Sequence, residues 1–268
     1  MITGILIAAA LVGGTGLVIG LLLGVAGKKF AVEVNEKEIA VREQLPGNNC
    51  GGCGYPGCDG LAAAIAAGKA PVNGCPVGGN EVAKAIAAIM GEEIKEGRRM
   101  TAFVKCAGDC ESSRNNYVYD GVEDCSVMAF IPGGGEKKCH HGCLGYGTCV
   151  KACNFDAIRV INGIAHVDKE KCKACGQCVA VCPHHLIELV PYEQTVKVSC
   201  SSQDKGKATM NACDKGCIGC KKCIKELGCP AIVLNNGNAC IDSSMCTGCG
   251  LCSQVCPVTA ITGGEDHE

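Results

Sequence analysis

Apolar and polar positions divide the chain into stretches of different rhythm. Ile2 to Ala26 is 25 residues without a charge. As a helix rising about 1.5 Å per residue it crosses a hydrocarbon layer of about 30 Å. Lys28 and Lys29 follow at once and no charge precedes the run, so the positive-inside rule sets the bulk of the chain in the cytoplasm. The alternative, a cleaved signal peptide, would need a basic start and a shorter apolar centre. Gly16, Gly20 and Gly24 fall four apart on one face, with Gly13 nearby. That spacing admits a second transmembrane helix, although glycine is also simply common in such helices. Lys28 to Gln44 is charged and periodic and predicts a linker helix. A Gly-rich, Cys-containing block runs from Pro46 to Gly79. Glu81 to Arg99 then predicts a helix with Val82, Ala85, Ile86, Ile89 and Met90 on one side. From Ala102 to about Ile261 the periodicity dissolves into short strands and tight turns. Gly263 to Glu268 forms an acidic tail that should fray.

Composition changes the picture. The 268 residues include 26 Cys and 38 Gly, but no Trp and only five Tyr and four Phe. So few aromatics cannot build large cores in the usual way. Most Cys stand two or three residues apart. At that distance they are poorly placed to bridge one another and well placed to surround one metal centre. Thiolate ligands require a reducing compartment. The net charge of −2 argues against a nucleic-acid partner. No G-x-G-x-x-G follows a predicted strand, so no dinucleotide site is expected. No acid–base pair or nucleophile–His arrangement stands out either, which leaves catalytic residues unassigned.

The Cys-rich half contains a repeat. Gly142-Cys143-Leu144-Gly145 matches Gly216-Cys217-Ile218-Gly219, Cys139 matches Cys213, and Cys149 matches Cys223. Val104-Lys105-Cys106 resembles Val198-Ser199-Cys200, and Cys172 to Cys182 matches Cys246 to Cys256. A duplicated unit follows from this. Its runs fit C-x2-C-x2-C-x3-C-P, in which three Cys hold one [4Fe–4S] cube and the fourth reaches the neighbouring cube. Cys172, Cys175, Cys178 and Cys182-Pro183 fit, as do Cys246, Cys249, Cys252 and Cys256-Pro257. Cys217, Cys220, Cys223 and Cys229-Pro230 fit with two extra residues. Crossing gives Cys172, Cys175 and Cys178 the partner Cys153. It gives Cys217, Cys220 and Cys223 the partner Cys256, and Cys246, Cys249 and Cys252 the partner Cys229. The run near Cys139 departs from the pattern. Tyr146 stands where Cys220 stands, and Asn154 replaces the proline. Cys139, Cys143, Cys149 and the crossing Cys182 are its expected ligands. The pairs Ala157-Ile158, Ala231-Ile232 and Ala260-Ile261 should cover the cubes with apolar surface.

Cys50, Cys53, Cys58 and Cys75-Pro76 read C-x2-C-x4-C-x16-C and suit one more cube, with a zinc site as the alternative. These assignments use 20 Cys in five cubes. Cys106, Cys110, Cys125, Cys200, Cys213 and Cys240 remain. They are either buried small residues, or Cys106, Cys110 and Cys125 with Cys200 or Cys213 form a sixth centre.

The apolar helix, the Asn-Asn-Cys-Gly-Gly-Cys-Gly-Tyr-Pro-Gly-Cys block and the paired ferredoxin-like runs together resemble the B subunit of the Rnf complex, a membrane ferredoxin:NAD+ oxidoreductase. Nearly the whole chain takes part in that resemblance, in the longer form with a second module. It implies an α+β chain: a transmembrane anchor at 1–29, a linker helix at 30–45 and a four-Cys domain at 46–100. Ferredoxin-like modules at 101–190 and 191–262 and an acidic tail at 263–268 complete it. It also implies about five or six [4Fe–4S] clusters, soluble ferredoxin as donor, membrane subunits as acceptors and ion translocation by the assembly. The four-Cys block alone also resembles the cluster domain of corrinoid iron–sulfur proteins, and a structural scaffold is the third reading. Lys205, Lys207, Lys215, Lys221, Lys222 and Lys225 form a patch able to steer an acidic donor, or more simply a solvated face.

Overall fold

The computed structural model describes residues 2–29, 35–94 and 97–263, with side chains of the first helix described at Gly4, 11–27 and Lys29. Helix α1 runs Ile2–Lys29 and α2 runs Glu36–Gln44. Residues 30–34 of the expected linker and 264–268 of the tail lie outside the described residues. Counted on the residues with described side chains, which in α1 run unbroken only over 11–27, no helix is long and apolar enough to cross a membrane.

The four-Cys domain has more helix than its glycines suggest. Helix α3, Gly57–Ala66, arises inside the Gly-rich block. Its first turn is held by Asn49, whose Oδ1 accepts the Cys58 N–H at 2.8 Å. Leu61, Ala62 and Ile65 turn inward against Val41 of α2 and Ile86 of α4, which runs Gly79–Met90. The Arg42–Asp59 ion pair, 2.6 Å, joins α2 to α3. The predicted helix over 81–99 stops early. Gly91 adopts φ +75° and caps α4 in the left-handed conformation. Residues 95–96 of that expectation are outside the described residues.

Each module then repeats one plan. In the first, β1 (Met100–Val104) pairs antiparallel with β4 (Ile187–Pro191), and between them lies the hairpin β2 (Ile158–Ile161) and β3 (Ile164–Val167). In the second, β5 (Lys197–Val198) pairs with β8 (Ile261–Thr262) around the hairpin β6 (Ile232–Asn235) and β7 (Asn238–Ile241). Both hairpins turn on Asn-Gly. Asn162 and Gly163 take φ +49° and +74°, and Asn236 and Gly237 take φ +50° and +91°, as a type I′ turn demands. Short helices carry the Cys runs: α5 (Thr148–Lys151), α6 (Gln177–Val181), α8 (Lys222–Lys225) and α9 (Leu251–Gln254), with α7 (Lys207–Ala212) near the join between modules.

The cores are small and sulfur-rich. Module 1 buries Ile158, Ala165 and Ile187 with Cys149 and Cys178; module 2 buries Ile232, Ala239 and Ile261 with Cys223 and Cys252. The repeat of the sequence is thus a repeat of packing.

Candidate metal centres

Three of the five expected thiol sets lie around a shared cavity with a single change. Cys153, Cys172, Cys175 and Cys178 line one of about 310 Å³, and Cys217, Cys220, Cys223 and Cys256 line one of about 350 Å³. In both, the fourth thiol comes from the other run, as the crossing rule requires. The third set needs a correction. Its cavity, about 420 Å³, is lined by Cys143, Cys149, Cys182 and Cys125, while Cys139 lines a different cavity. The cause is local. Tyr146 occupies the ligand position of the repeat and turns edge-on to Tyr119, ring centres 5.9 Å apart. Met128 and Leu144 complete a small core that carries Cys125. The Cys125 N–H donates to Thr148 Oγ1 at 2.9 Å, at the start of α5, and Cys149 follows.

Cys125 was hidden in the sequence, yet two signals pointed to it. The segment from Cys110 to Cys139 has no counterpart of equal length between Cys200 and Cys213, and it contains a lone Cys. Cys139 also repeats as Cys213, so both should have one role. The structure brings these two together with Cys106 and Cys200 at the join between modules. The expected grouping of Cys106, Cys110, Cys125 and Cys200 is therefore split. Cys110 is exposed and Cys240 lies in β7, apart from every four-Cys cavity described above.

In the two remaining expected sets, Cys229, Cys246 and Cys252 share the core of module 2, with Cys249 exposed beside them. Cys53 and Cys75 pack on the core that buries Cys58. Burial raises the Cys75 thiol above its usual range, the Gly78 and Val77 N–H groups oppose that, and Cys58 and Cys50 add to it.

Do these residues fit iron–sulfur cubes? Among the described residues, no three or more His, Cys, Asp or Glu close on the spacing of a single ion. The thiols instead gather four to a pocket, each pocket lined mainly by apolar surface. Backbone N–H groups point at the sulfurs: Ala157 to Cys153, 3.4 Å, and Leu186 to Cys182, 3.4 Å. Each follows a left-handed residue, Asp156 at φ +50° and His185 at φ +50°, which turns the chain back over the thiol. The pairs Ala157-Ile158, Ala231-Ile232 and Ala260-Ile261 are buried, and Leu186-Ile187 joins them. Burial pushes the Cys149 thiol up to about 11 and Cys178 to about 12, with neighbouring Cys adding to both. A cationic centre replacing the protons relieves that cost. The donor set, hydrogen bonds and apolar cover all suit [4Fe–4S] clusters.

The sets also adjoin. Gln177 Nε2 donates to the Cys50 carbonyl at 2.6 Å, and a side chain at Gly52 would place its Cβ 2.5 Å from the Cys175 carbonyl oxygen. The four-Cys block thus sits directly on the outer thiol set of module 1. Cys149 and Cys178 share the core of that module, as Cys223 and Cys252 share that of module 2.

Comparison with known proteins agrees with this reading. Residues 45–77 match the FeS family of Fe-S cluster modules, and residues 165–188 and 239–262 match Fer4, the 4Fe-4S binding domain. The chain is 44% identical over its full length to the B subunit of a Na(+)-translocating ferredoxin:NAD(+) oxidoreductase complex of Acetobacterium woodii, covering 80% of that protein. It is 43% identical over 94% of its length to the B subunit of an ion-translocating oxidoreductase complex of Methanosarcina acetivorans, covering 96% of it. A proton-translocating counterpart from Clostridium ljungdahlii is 38% identical over 94% of the chain and is covered to 90%.

Proposed function

The chain belongs to the B-subunit family of ion-translocating ferredoxin:NAD(+) oxidoreductase (Rnf) complexes, and from that premise we propose a direction for the electron path through it. It is an electron-transfer subunit of such an oxidoreductase and carries [4Fe–4S] clusters. Soluble reduced ferredoxin delivers electrons at module 2, and they leave through the four-Cys block toward membrane subunits.

The observation behind that direction is the exposure of the thiols. Cys220 and Cys249 of module 2 are exposed, whereas their module 1 counterparts are covered: Tyr146 replaces the first, and Cys175 lies under Gly52. Lys221 stands beside Cys220 with Lys222, which also reaches Glu226 at 3.6 Å on the exposed surface, and together they attract an acidic donor. Lys215 belongs to a different task, since it pairs with Asp109 at 2.7 Å.

We read the ligand sets as Cys50, Cys53, Cys58, Cys75; Cys153, Cys172, Cys175, Cys178; Cys125, Cys143, Cys149, Cys182; Cys217, Cys220, Cys223, Cys256; and Cys229, Cys246, Cys249, Cys252. Each cluster supplies one-electron chemistry. The protein holds the sulfurs, excludes water with Ala-Ile pairs and sets potentials with N–H···S bonds.

The anchor belongs to the same reading. Helix α1 is continuous over 28 residues, about 42 Å at ~1.5 Å per residue. Its large apolar side chains from Leu11 to Val25 are 56–73% exposed, an arrangement suited to lipid rather than water. We place it across the membrane with the cluster-bearing part on the cytoplasmic side. The scaffold and corrinoid readings are set aside, because the relatives that match nearly the whole chain are B subunits of ion-translocating oxidoreductase complexes.

Charge reversal at Lys221 and Lys222 tests the direction. Reduction of the full-length protein by ferredoxin should slow about tenfold at low salt, and the gap to the wild type should close at high salt, where attraction and repulsion alike are screened. An unchanged rate would refute entry at module 2.

A further inference from the structure

The electron path above has one gap, between the modules, and a fourth cavity fills it. Its empty space, open solvent at the mouth included, is about 440 Å³, at least as large as that of the three pockets bounded by crossed thiol sets. Cys106, Cys139, Cys200 and Cys213 line it, two from each module. These are repeat equivalents, Cys106 with Cys200 and Cys139 with Cys213, so the cavity lies on the pseudo-twofold relation between the halves.

The symmetry extends to hydrogen bonds. The Cys143 N–H donates to Cys106 Sγ at 3.3 Å, and its equivalent, the Cys217 N–H, donates to Cys200 Sγ at 3.2 Å. Ser202 N–H adds a second donor to Cys200 Sγ at 3.4 Å. Glycines clear the space: a Cβ at Gly108 would sit 3.1 Å from Cys213 Sγ, and one at Gly142 3.4 Å from Cys139 Sγ. The walls are fixed by backbone bonds across the join. Ala107 N–H donates to the Ser199 carbonyl, Arg114 N–H to Ala212 and Asp214 N–H to Ser112, each at 2.9 Å. The buried Lys137 ammonium donates to the Gly108 and Gly163 carbonyls at 3.2 and 2.9 Å. Its charge lies beside the loop that carries Cys106.

We propose that Cys106, Cys139, Cys200 and Cys213 hold a sixth [4Fe–4S] cluster shared by the two modules, and that this cluster joins their electron paths. The inference rests on the reading that the other four-Cys sets hold cubes. Four thiolates in a cavity of the same size, with the same N–H···S bonds, call for the same centre. Its neighbours are one peptide bond away on each side. Gly142 lines this cavity and Cys143 is a ligand of the module 1 set; Gly216 lines it and Cys217 is a ligand of the module 2 set. One electron enters the cluster from the Cys217 side and one leaves to the Cys143 side. A cluster held by these four thiolates would shuttle between its 2+ and 1+ core states, with no bond made or broken. Positive charge from Lys137, which donates only to backbone carbonyls there, favours the reduced state.

The test uses full-length protein purified without oxygen. With four irons per cube, the wild type should contain about 24 irons per chain, and Cys106→Ser/Cys213→Ser about 20. The EPR signal of the reduced variant should lose one spin of six. Rapid reduction by ferredoxin should reach the module 2 clusters and then stall, with the remaining clusters filling at least 100-fold more slowly. Cys110→Ser/Cys240→Ser serves as the control and should keep every iron. About 20 irons in both the wild type and the Cys106→Ser/Cys213→Ser variant would overturn the sixth cluster and leave the other five intact. Loss of one zinc in place of four irons would overturn it equally. A wild type without iron would instead sink the underlying reading.

Discussion

The two modules repeat one plan and, on the ligand sets proposed above, differ in where their thiolates originate. Module 2 keeps all three thiols of its inner set, Cys217, Cys220 and Cys223, within one run. Module 1 has Tyr146 at the middle position, and Cys125, from the longer segment before Cys139, lines its cavity instead. The hairpin, the outer strand pair and the Ala-Ile cover are common to both. The fold therefore fixes the place of a cluster more firmly than it fixes which residue supplies a given thiolate. A ligand can migrate to a distant segment provided a side chain such as Tyr146 fills the old position and packs the new segment against it.

Removing the migrated ligand is the strongest way to break that comparison. Cys125→Ser should lose about four of the irons and one reduced-state EPR signal. The corresponding signals of module 2 should stay. Adding Tyr146→Cys to Cys125→Ser should return the irons, because the thiol is restored where the repeat has Cys220. Full iron content in Cys125→Ser, measured with acid-labile sulfide after anaerobic purification, would show that the thiol is no ligand.

The outer sets differ in cover. Cys249 is exposed, while its counterpart Cys175 lies beneath the four-Cys block, with Gly52 against its carbonyl. An iron chelator should therefore strip module 2's outer cluster first. Gly52→Ala forces a Cβ to 2.5 Å from that carbonyl oxygen, so the block must lift. Overpacking of this kind costs about 1–3 kcal/mol. Bleaching of the module 1 outer cluster should accelerate several-fold and approach the module 2 rate. If the two rates already match in the wild type, the block gives no protection.

Much of this was legible in the sequence because thiolate spacing is a rigid constraint. A C-x2-C-x2-C run wraps one cube and leaves little freedom to its neighbours. That Cys153 would line one cavity with Cys172, Cys175 and Cys178, and Cys256 one with Cys217, Cys220 and Cys223, followed from that run and the repeat. What escaped was long-range. Nothing near Cys125 says that it meets Cys149, since the contact depends on Tyr119 and Met128 packing against Leu144 and Tyr146 about twenty residues further on. Helix α3 was masked by glycines, which served here as turn formers around a helix start at Pro56. The grouping of Cys139 with Cys213 was within reach, because residues that repeat as a pair tend to meet where the two copies join.

That join holds one further asymmetry. Phe103 of module 1 and Lys197 of module 2 are repeat equivalents, and they face one another, with Lys197 Nζ 5.0 Å from the ring centre. Lys197 is buried, and burial first, then Lys169, pulls its ammonium down to about 8. In the unfolded chain it stays charged to about pH 10.4. Between these values the unfolded state holds more protons than the folded one. Stability should therefore rise with pH from about 8 to about 10.4 and be flat in this respect below 8. The buried charge costs about 1–2 kcal/mol at neutral pH, after the ring contact offsets part of it. Lys197→Met keeps the length of the side chain and removes the charge. The variant should unfold more slowly at pH 7, by about a factor of ten in the rate of visible absorbance loss, and should lack the rise above pH 8. The reciprocal variant, Phe103→Leu, takes away the ring and leaves the ammonium without its partner, so it should unfold faster at pH 7 and regain stability more steeply as pH rises. Equal pH profiles for wild type and Lys197→Met would mean that Lys197 reaches water, and that the two modules meet there more loosely than their buried faces require.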